Sequence, residues 1–283
     1  MSQMSMESPG KPENGTCEAV ILAVETSSRI GSAALAVGSR LLEELQLDAP
    51  MQHSAEIFPA IERVLKGHGY APADIGQIHI AVGPGSFTGL RIAVTMAKAM
   101  HLANGVRIVT VDSLDVVAAN LSGASAGQIG AAREGPGTAI PGRIAALFDA
   151  KRGQFYAGIY QRGTPGLEDL RRADSDDPGY LIPAPDNGLW QKIVPDALMT
   201  VREITERSAE SGPIGLLGDG LLYHRDKFDT DRIVILPEQY WSPHAANVHR
   251  LGYQKALAGR FADPLALTPF YLRGPEVTLR KKP

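Results

Sequence analysis

The apolar positions change rhythm several times along this chain, and each change marks an element. Residues 19–24, AVILAV, form an unbroken apolar run rich in β-formers. ETSSRIG interrupts it and SAALAV returns, so the pattern predicts a strand, a turn and a second strand. The rhythm then turns helical. In SAEIFPAIERVLKGHG, Ile57, Phe58, Ile61 and Leu65 recur at helical spacing between a capping Ser54 and Gly67. Pro59 fits this helix if the first turn starts a residue or two after Ser54, because a proline there gives up no hydrogen bond. QIHIAV reads as a strand, GLRIAVTMAKAMHLANG as a helix closed by Asn104 and Gly105, and RIVTVDS as another strand.

Residues 122–142 are dense in Gly, Ala and Ser without periodicity and read as a mobile surface loop near a junction of two lobes. RIAALFDAKRGQFYAGIY then repeats the opening order of strand, acid, short turn and return strand. With Glu25 set against Asp149, ILAVETSSRIGSAAL lies over AALFDAKRGQFYAGI, which suggests an internal duplication. PIGLLGDGLLYH reads as a strand, a turn at Gly218, Asp219 and Gly220, and the start of a helix. WSPHAANVHRLGYQKALAG predicts a helix with Ser242 as cap, Pro243 at its first position and Gly259 at its end. The expected organisation is a flexible tail at 1–17, an N-terminal lobe at 18–112 completed by the helix 243–259, a C-terminal lobe at 113–242 and an extended, mildly basic finish at 260–283.

The densest chemistry lies in GPGSFTGLR: Gly83, Pro84, Gly85, Ser86, Phe87, Thr88, Gly89 and then Arg91. A strand, glycine turn and helix is the layout that holds phosphate on free N–H groups. Yet no lysine follows the last glycine, as a P-loop requires, and the glycine spacing is one residue too long for a dinucleotide fingerprint. The other reading is a tight turn in which glycine permits close approach of strand and helix. In the helix that follows, Arg91, Thr95 and Lys98 form a polar stripe at about 100° per residue. Ile92, Ala93, Met96, Ala99, Met100 and Ala103 line an apolar face, which Leu90, Val94 and Ala97 widen. That arc exceeds the ~100° stripe a single core needs. The helix is either covered on both sides by its own lobe or gives one face to a partner.

Glu25, beside Thr26 and Ser27, ends a first strand. It could hold hydrated magnesium near a nucleotide, or cap the local N–H groups of its turn, and the extra methylene of glutamate favours the second role. No pair among the seven histidines has the HxxxH spacing of a helical metal site; His244 and His249 are five apart. No GxSxG elbow is present. With no catalytic constellation in view, no catalytic residue and no metal ligand is assigned.

Composition narrows the class. Apolar content of 44% and charged content of 21% suit a packed globular chain, and a net charge of −3 argues against gripping nucleic acid by bulk electrostatics. The single cysteine, Cys17, can make no internal disulfide. The first residues lack a basic start and an apolar core, and no run reaches the ~18–20 apolar residues of a membrane span. These features lead us to expect a cytoplasmic protein with no membrane association.

ILAVETSS, HSAEIFPAIERVL, GPGSFTGLRIAVTMAKAM, TVDSLDVVA, FDAKRGQFY and PFYLR occur in the order found in the TsaB (YeaZ) family, and the resemblance spans nearly everything beyond the tail. Glu25 stands where aspartate is usual and Lys151 where the family has arginine. The resemblance implies an α/β fold of two RNase H-like lobes of the actin-like ATPase superfamily, which clasp nucleotide between the lobes. It implies a non-catalytic paralogue of TsaD, whose HxxxH metal motif falls near Ser113 and Val117 here. It further implies a scaffold or activator role in forming the N6-threonylcarbamoyl group on adenosine 37 of tRNAs. The partners implied are TsaD in a heterodimer and the ATPase TsaE, with a homodimer when TsaD is absent. The tRNA is then substrate of the complex only. No cofactor is expected on this subunit alone, ATP being used elsewhere in the pathway; Glu25, Thr26, Gly83 and Gly85 are the residues nearest to a nucleotide site. The expected partner surface comprises Ile57 and Ile61 of the first helix with Ile92, Ala93, Met96, Ala99 and Met100 of the second. The alternatives are an actin-like ATPase or kinase, or a glycoprotease-type metallopeptidase, acting by itself. A further thought is direct tRNA contact through Arg273, Arg280, Lys281 and Lys282.

Overall fold

A computed structural model describes residues 18–47, 53–123, 140–163, 181–228 and 231–274. Most of the expected 122–142 loop, the 1–17 tail, and Arg280, Lys281 and Lys282 lie outside the described residues.

The opening apolar run is β1 (Val20–Glu25), which pairs antiparallel with β2 (Ser32–Val37) and, through it, with β3 (Arg40–Gln46). After α1 (His53–Gly67), β4 (Ile75–Ala81) joins β1 in parallel, and after α2 (Phe87–Asn104), β5 (Arg107–Val111) joins β4 in parallel. The first sheet therefore runs β3-β2-β1-β4-β5. A short α3 (Ser113–Ala118) leads out of the lobe.

The second half repeats the same plan. β6 (Arg143–Asp149) pairs antiparallel with β7 (Gln154–Gly163), and β7 with β9 (Leu189–Thr200), which also carries the two-residue β8 (Ile182–Pro183). Following α4 (Val201–Ser211), β10 (Ile214–Leu217) lies parallel to β6 and β11 (Ile233–Ile235) parallel to β10. Read from β9, the order β9-β7-β6-β10-β11 matches β3-β2-β1-β4-β5 in succession and in every strand direction. The duplication suggested by Glu25 and Asp149 is thus present in the topology.

One face of the first sheet (Leu22, Val24, Leu35, Ile78, Ile80) packs on α1 and α2 with Ile57, Ile61, Ala93, Met96 and Ala97. The opposite face, through Ala23, Ala34, Ala81 and Val111, runs into the core of the second sheet by way of Leu114, Val117 and Leu251. Leu251 belongs to α5 (Ala245–Leu257), which packs across β1, β2, β4 and β5.

Several boundaries differ from expectation for local reasons. α1 begins at His53, one residue before the Ser54 expected as its cap, so Pro59 sits within the helix on an exposed face. α2 begins at Phe87, and Ser86 caps it by accepting from the Gly89 N–H at 3.3 Å. α5 starts two residues later than a Ser242 cap would place it. Its first amides are capped from the other end of the chain: Ala245 N–H donates to Ser32 Oγ at 2.8 Å and Ala246 N–H to Glu44 Oε1 at 3.1 Å. The helix expected after Gly220 does not form. The chain there makes two successive tight turns, Asp219–Leu221 and Arg225–Lys227; the first is held against β6, where a Cβ on Gly218 would lie 2.1 Å from the Leu147 carbonyl oxygen.

Candidate functional site: the paired strand ends and the outer helix face

The duplicated hairpins end side by side. Glu25 closes β1 and Asp149 closes β6; the turn after β4 carries Gly83 and Gly85, and that after β10 carries Gly218 and Gly220. Each glycine pair serves a close approach. A Cβ on Gly85 would lie 2.2 Å from the Ser27 carbonyl oxygen, and one on Gly220 would lie 3.0 Å from the Asp149 nitrogen. Gly83, at φ 124°, would carry its Cβ 2.3 Å from the Phe270 carbonyl oxygen. The signature turn is therefore packed by its own chain.

Three of its amides are bonded as well. Gly83 N–H donates to Ser113 Oγ at 3.1 Å, Ser86 N–H to the Ser27 carbonyl at 2.6 Å, and Gly89 N–H to Ser86 Oγ. Thr26 Oγ–H donates to the Gly89 carbonyl at 2.8 Å. These contacts and the close approaches at Gly83 and Gly85 fit the tight-turn reading of residues 83–89. Ser113, near the position that the resemblance gives to a metal-binding histidine, bonds this turn, and Val117 is core.

Glu25 is fully buried, with Oε1 accepting from both the N–H and the hydroxyl of Ser27, while Oε2 has no hydrogen-bond partner. Burial pushes this carboxyl up to about 7; the Ser27 bonds oppose the rise and the negative charge of Asp219 adds to it. Burial also raises Asp219 to about 6, although its Oδ2 accepts from Arg29 N–H at 3.0 Å. Asp149 behaves differently. Despite partial burial, its carboxyl is held low by the side chain and N–H of Lys151, both at 2.8 Å. His224 Nε2 stands 3.8 Å from Asp149, and Arg29 reaches Tyr223 across the same gap. Among the described residues no group of three or more His, Cys, Asp or Glu side chains is placed to hold a metal ion.

The raised value of Glu25 has a testable consequence. Relative to the ordinary 4.5, a folded-state value near 7 means that stability is full below 4.5 and is lost as pH rises through 7. Glu25→Gln is expected to match the parent chain at pH 4.5 and to exceed it by up to about 3 kcal/mol at pH 8. Urea unfolding at the two pH values checks this; an equal difference at both would show that burial of charge is not the cause.

The two helices divide the expected partner residues. Ile57, Ile61, Ala93 and Met96 are buried in the N-terminal lobe's own core, which takes them off the outer face. Ala99 is exposed, and Ile92 and Met100 are half-buried. Thr88, Ile92, Thr95, Ala99 and Leu102, spaced four, three, four and three, make the outward stripe of α2. Leu102 is 80% exposed and Phe58 on α1 is 56% exposed. Sequence reading included neither in the partner surface, because an all-round apolar helix does not reveal which side its own sheet takes.

A second polar cluster lies where β5, α3, β7 and β9 meet. Lys192 Nζ is 2.8 Å from both Asp115 and Asp196 and 3.5 Å from Asp112; Tyr160 donates to Asp115 at 2.7 Å. Burial raises Asp112 and Asp196, and the three carboxylates more than offset the burial of Lys192 and keep it charged. No motif announced these residues, because they come together only through the strand pairing.

Two repeated hairpin-and-crossover sheets, with acids at matching strand ends, define a two-lobed α/β protein of the actin-like ATPase type. Comparison with known proteins agrees. The family described as TsaD, tRNA N6-adenosine threonylcarbamoyltransferase, matches residues 47–200. YeaZ from Pseudomonas aeruginosa superposes with a TM-score of 0.64 at 21% identity, over 90% of this chain and all of that one. The tRNA threonylcarbamoyladenosine biosynthesis protein TsaB of Bacillus subtilis is 30% identical over 89% of this chain and 93% of its own. The TsaB of Escherichia coli is 25% identical over 93% and 98%. The chain belongs to the TsaB family.

Proposed function

We propose that this chain takes part in tRNA threonylcarbamoyladenosine biosynthesis as a non-catalytic subunit, pairing with the transferase TsaD through the outer face of α1 and α2. The observation that carries the reading is the apolar stripe on that face. Phe58, Ile92, Ala99 and Leu102 stand outward on two adjacent helices that are already fully packed beneath. Exposed large apolar side chains gathered on one face of a globular protein mark a contact surface. The small Ala99 lets a partner helix come close. The structural use of Ser113 and Val117 supports the non-catalytic part.

In this reading TsaE binds the pair, tRNA is substrate of the complex, ATP is used elsewhere in the pathway, and a second copy of the chain takes the helix face when TsaD is absent. The working compartment is the cytoplasm; no helix among the described residues is long and apolar enough to cross a membrane.

The test is pairing with TsaD from the same organism, followed by size-exclusion chromatography and calorimetry. Ala99→Glu is expected to weaken pairing by at least about a hundredfold, since a charge would be buried without a partner, while thermal stability stays within a degree or two. Met96 is the wrong probe: at 5% exposure a charge there attacks the core. Undiminished pairing of Ala99→Glu, or ATP turnover by the purified chain alone, would overturn the proposal.

A further inference from the structure

The segment after α5 does more than finish the N-terminal lobe. Ala262 N–H donates to the Ile108 carbonyl at 2.8 Å and Phe270 N–H to the Val82 carbonyl at 2.7 Å, so the chain runs back along the first sheet. Tyr271 stacks on Phe87 with ring centroids 4.8 Å apart and accepts a hydrogen bond from Arg91 Nε at 3.3 Å. The Arg91 guanidinium lies 3.8 Å from the Phe87 ring centre. Two residues later the segment changes lobes. Arg273 donates to the Ala150 carbonyl at 2.6 Å and to the Gln154 side-chain oxygen.

Those acceptors flank the turn between β6 and β7, which is strained. Lys151, Arg152 and Gly153 are all left-handed, with φ of 65°, 56° and 73°. Side-chain-bearing residues rarely adopt this backbone, and two in succession persist only where surrounding contacts hold them. The turn's own contacts include the Ala150 N–H to the Gln154 carbonyl at 3.0 Å, the Gln154 N–H to the Lys151 carbonyl at 3.1 Å, and the Lys151 N–H and side chain to Asp149, both at 2.8 Å. Arg273 grips both ends from outside. Further ties between the lobes are Arg29, whose N–H donates to Asp219 at 3.0 Å and whose side chain reaches Tyr223, and the Lys192 cluster, where Asp112 follows β5 while Lys192 and Tyr160 belong to β9 and β7. Gln154 opens β7 and Tyr160 lies six residues along it, roughly 20 Å away. The Arg273 and Lys192 ties therefore act at separate points along the junction.

We propose that residues 270–273 form a latch: anchored on the N-terminal lobe by Phe270 and Tyr271, they use Arg273 to hold the strained β6–β7 turn and so fix the angle between the lobes. The lobes are kept as one rigid body while Arg273 is engaged. Releasing it lets the turn relax and the lobes swing about the Lys192 tie.

The inference does not rest on pairing with TsaD, and its test uses the isolated full chain. Spin labels at Arg63→Cys on α1 and Arg207→Cys on α4, both exposed positions, with Cys17 replaced by serine, report the distance between lobes. The parent chain is expected to give one narrow distance distribution. Arg273→Ala should at least about double its width and speed amide exchange at residues 151–154 about tenfold, leaving α2 protection unchanged. An unchanged width overturns the latch, and so does faster exchange throughout the chain without broadening. If Arg273→Ala does not fold, Gln154→Leu decides on the same readouts. It removes one acceptor and keeps the Ala150 bond, so a smaller broadening supports the latch and a parental width overturns it.

Discussion

Replacing Lys192 by methionine is expected to cost about 3–5 kcal/mol of folding free energy at pH 8, because it strips the counter-charge from three converging carboxylates. The ammonium lies 2.8 Å from Asp115 and Asp196 and 3.5 Å from Asp112, and these acids are drawn from separate elements. Methionine fills the space of the stem but supplies no donor. Tyr160 still donates to Asp115, while both Asp196 carboxyl oxygens are left with no donor at all. The sign of the pH dependence follows. Burial already raises Asp112 and Asp196, and without Lys192 they rise further. Groups with raised values stabilise the fold below their ordinary range and lose that contribution as pH climbs. The deficit of Lys192→Met should therefore be clearly smaller at pH 5 than at pH 8, measured by urea unfolding. A deficit below about 1 kcal/mol, the scale of an exposed pair, or one independent of pH, would show that the cluster is hydrated rather than buried.

Gly83→Ala is the second large effect. Two costs coincide there: φ is 124°, outside the range that alanine accepts, and the new Cβ would fall 2.3 Å from the Phe270 carbonyl oxygen. A backbone atom cannot rotate away as a side chain can, so the Phe270 to Val82 hydrogen bond must open. A loss above about 3 kcal/mol is expected, with a drop in soluble yield. Gly105→Ala is the control. It has a φ of 68° with nothing within 4 Å, so it suffers the backbone penalty alone, about 1 kcal/mol. Equal losses at the two positions would mean that close packing of the strap contributes nothing.

Much of this architecture was legible because buried parallel strands are uniformly apolar. AVILAV, QIHIAV and RIAALF stand out for that reason, and the acid that follows two of them exposes the repeat in the sequence itself. β3 and β9 were missed on equally physical grounds. β3, RLLEELQ, is an edge strand with mostly half-buried residues and no clean alternation. β9 contains Pro195, which speaks against a strand. The structure accommodates it at an irregularity in the pairing with β7, where Ala157 and Ile159 oppose Ala197 and Val194. The cap of α5 was equally unreadable, since Ser32 and Glu44 lie some two hundred residues upstream.

At the candidate site, Glu25, Thr26, Gly83 and Gly85 do come together. What the sequence could not tell was that Ser27 and Phe270 fill the space around the glycines. For the helix face the resemblance implied Ile57, Ile61, Ala93 and Met96 as partner residues, and the period left their side open. The sheet claims them, and Phe58 and Leu102 are left in water.

The position of α5 also shapes how the protein comes off the ribosome. The helix that covers β1, β2, β4 and β5 is encoded after the entire second lobe, and its own first turn is closed by groups on β2 and β3. While the intervening residues are being translated, on the order of ten seconds at ordinary speeds, one apolar side of the first sheet has no cover. The nascent chain is thus a natural client for chaperones until its last helix emerges, and truncations that remove that helix should aggregate rather than yield a free N-terminal lobe.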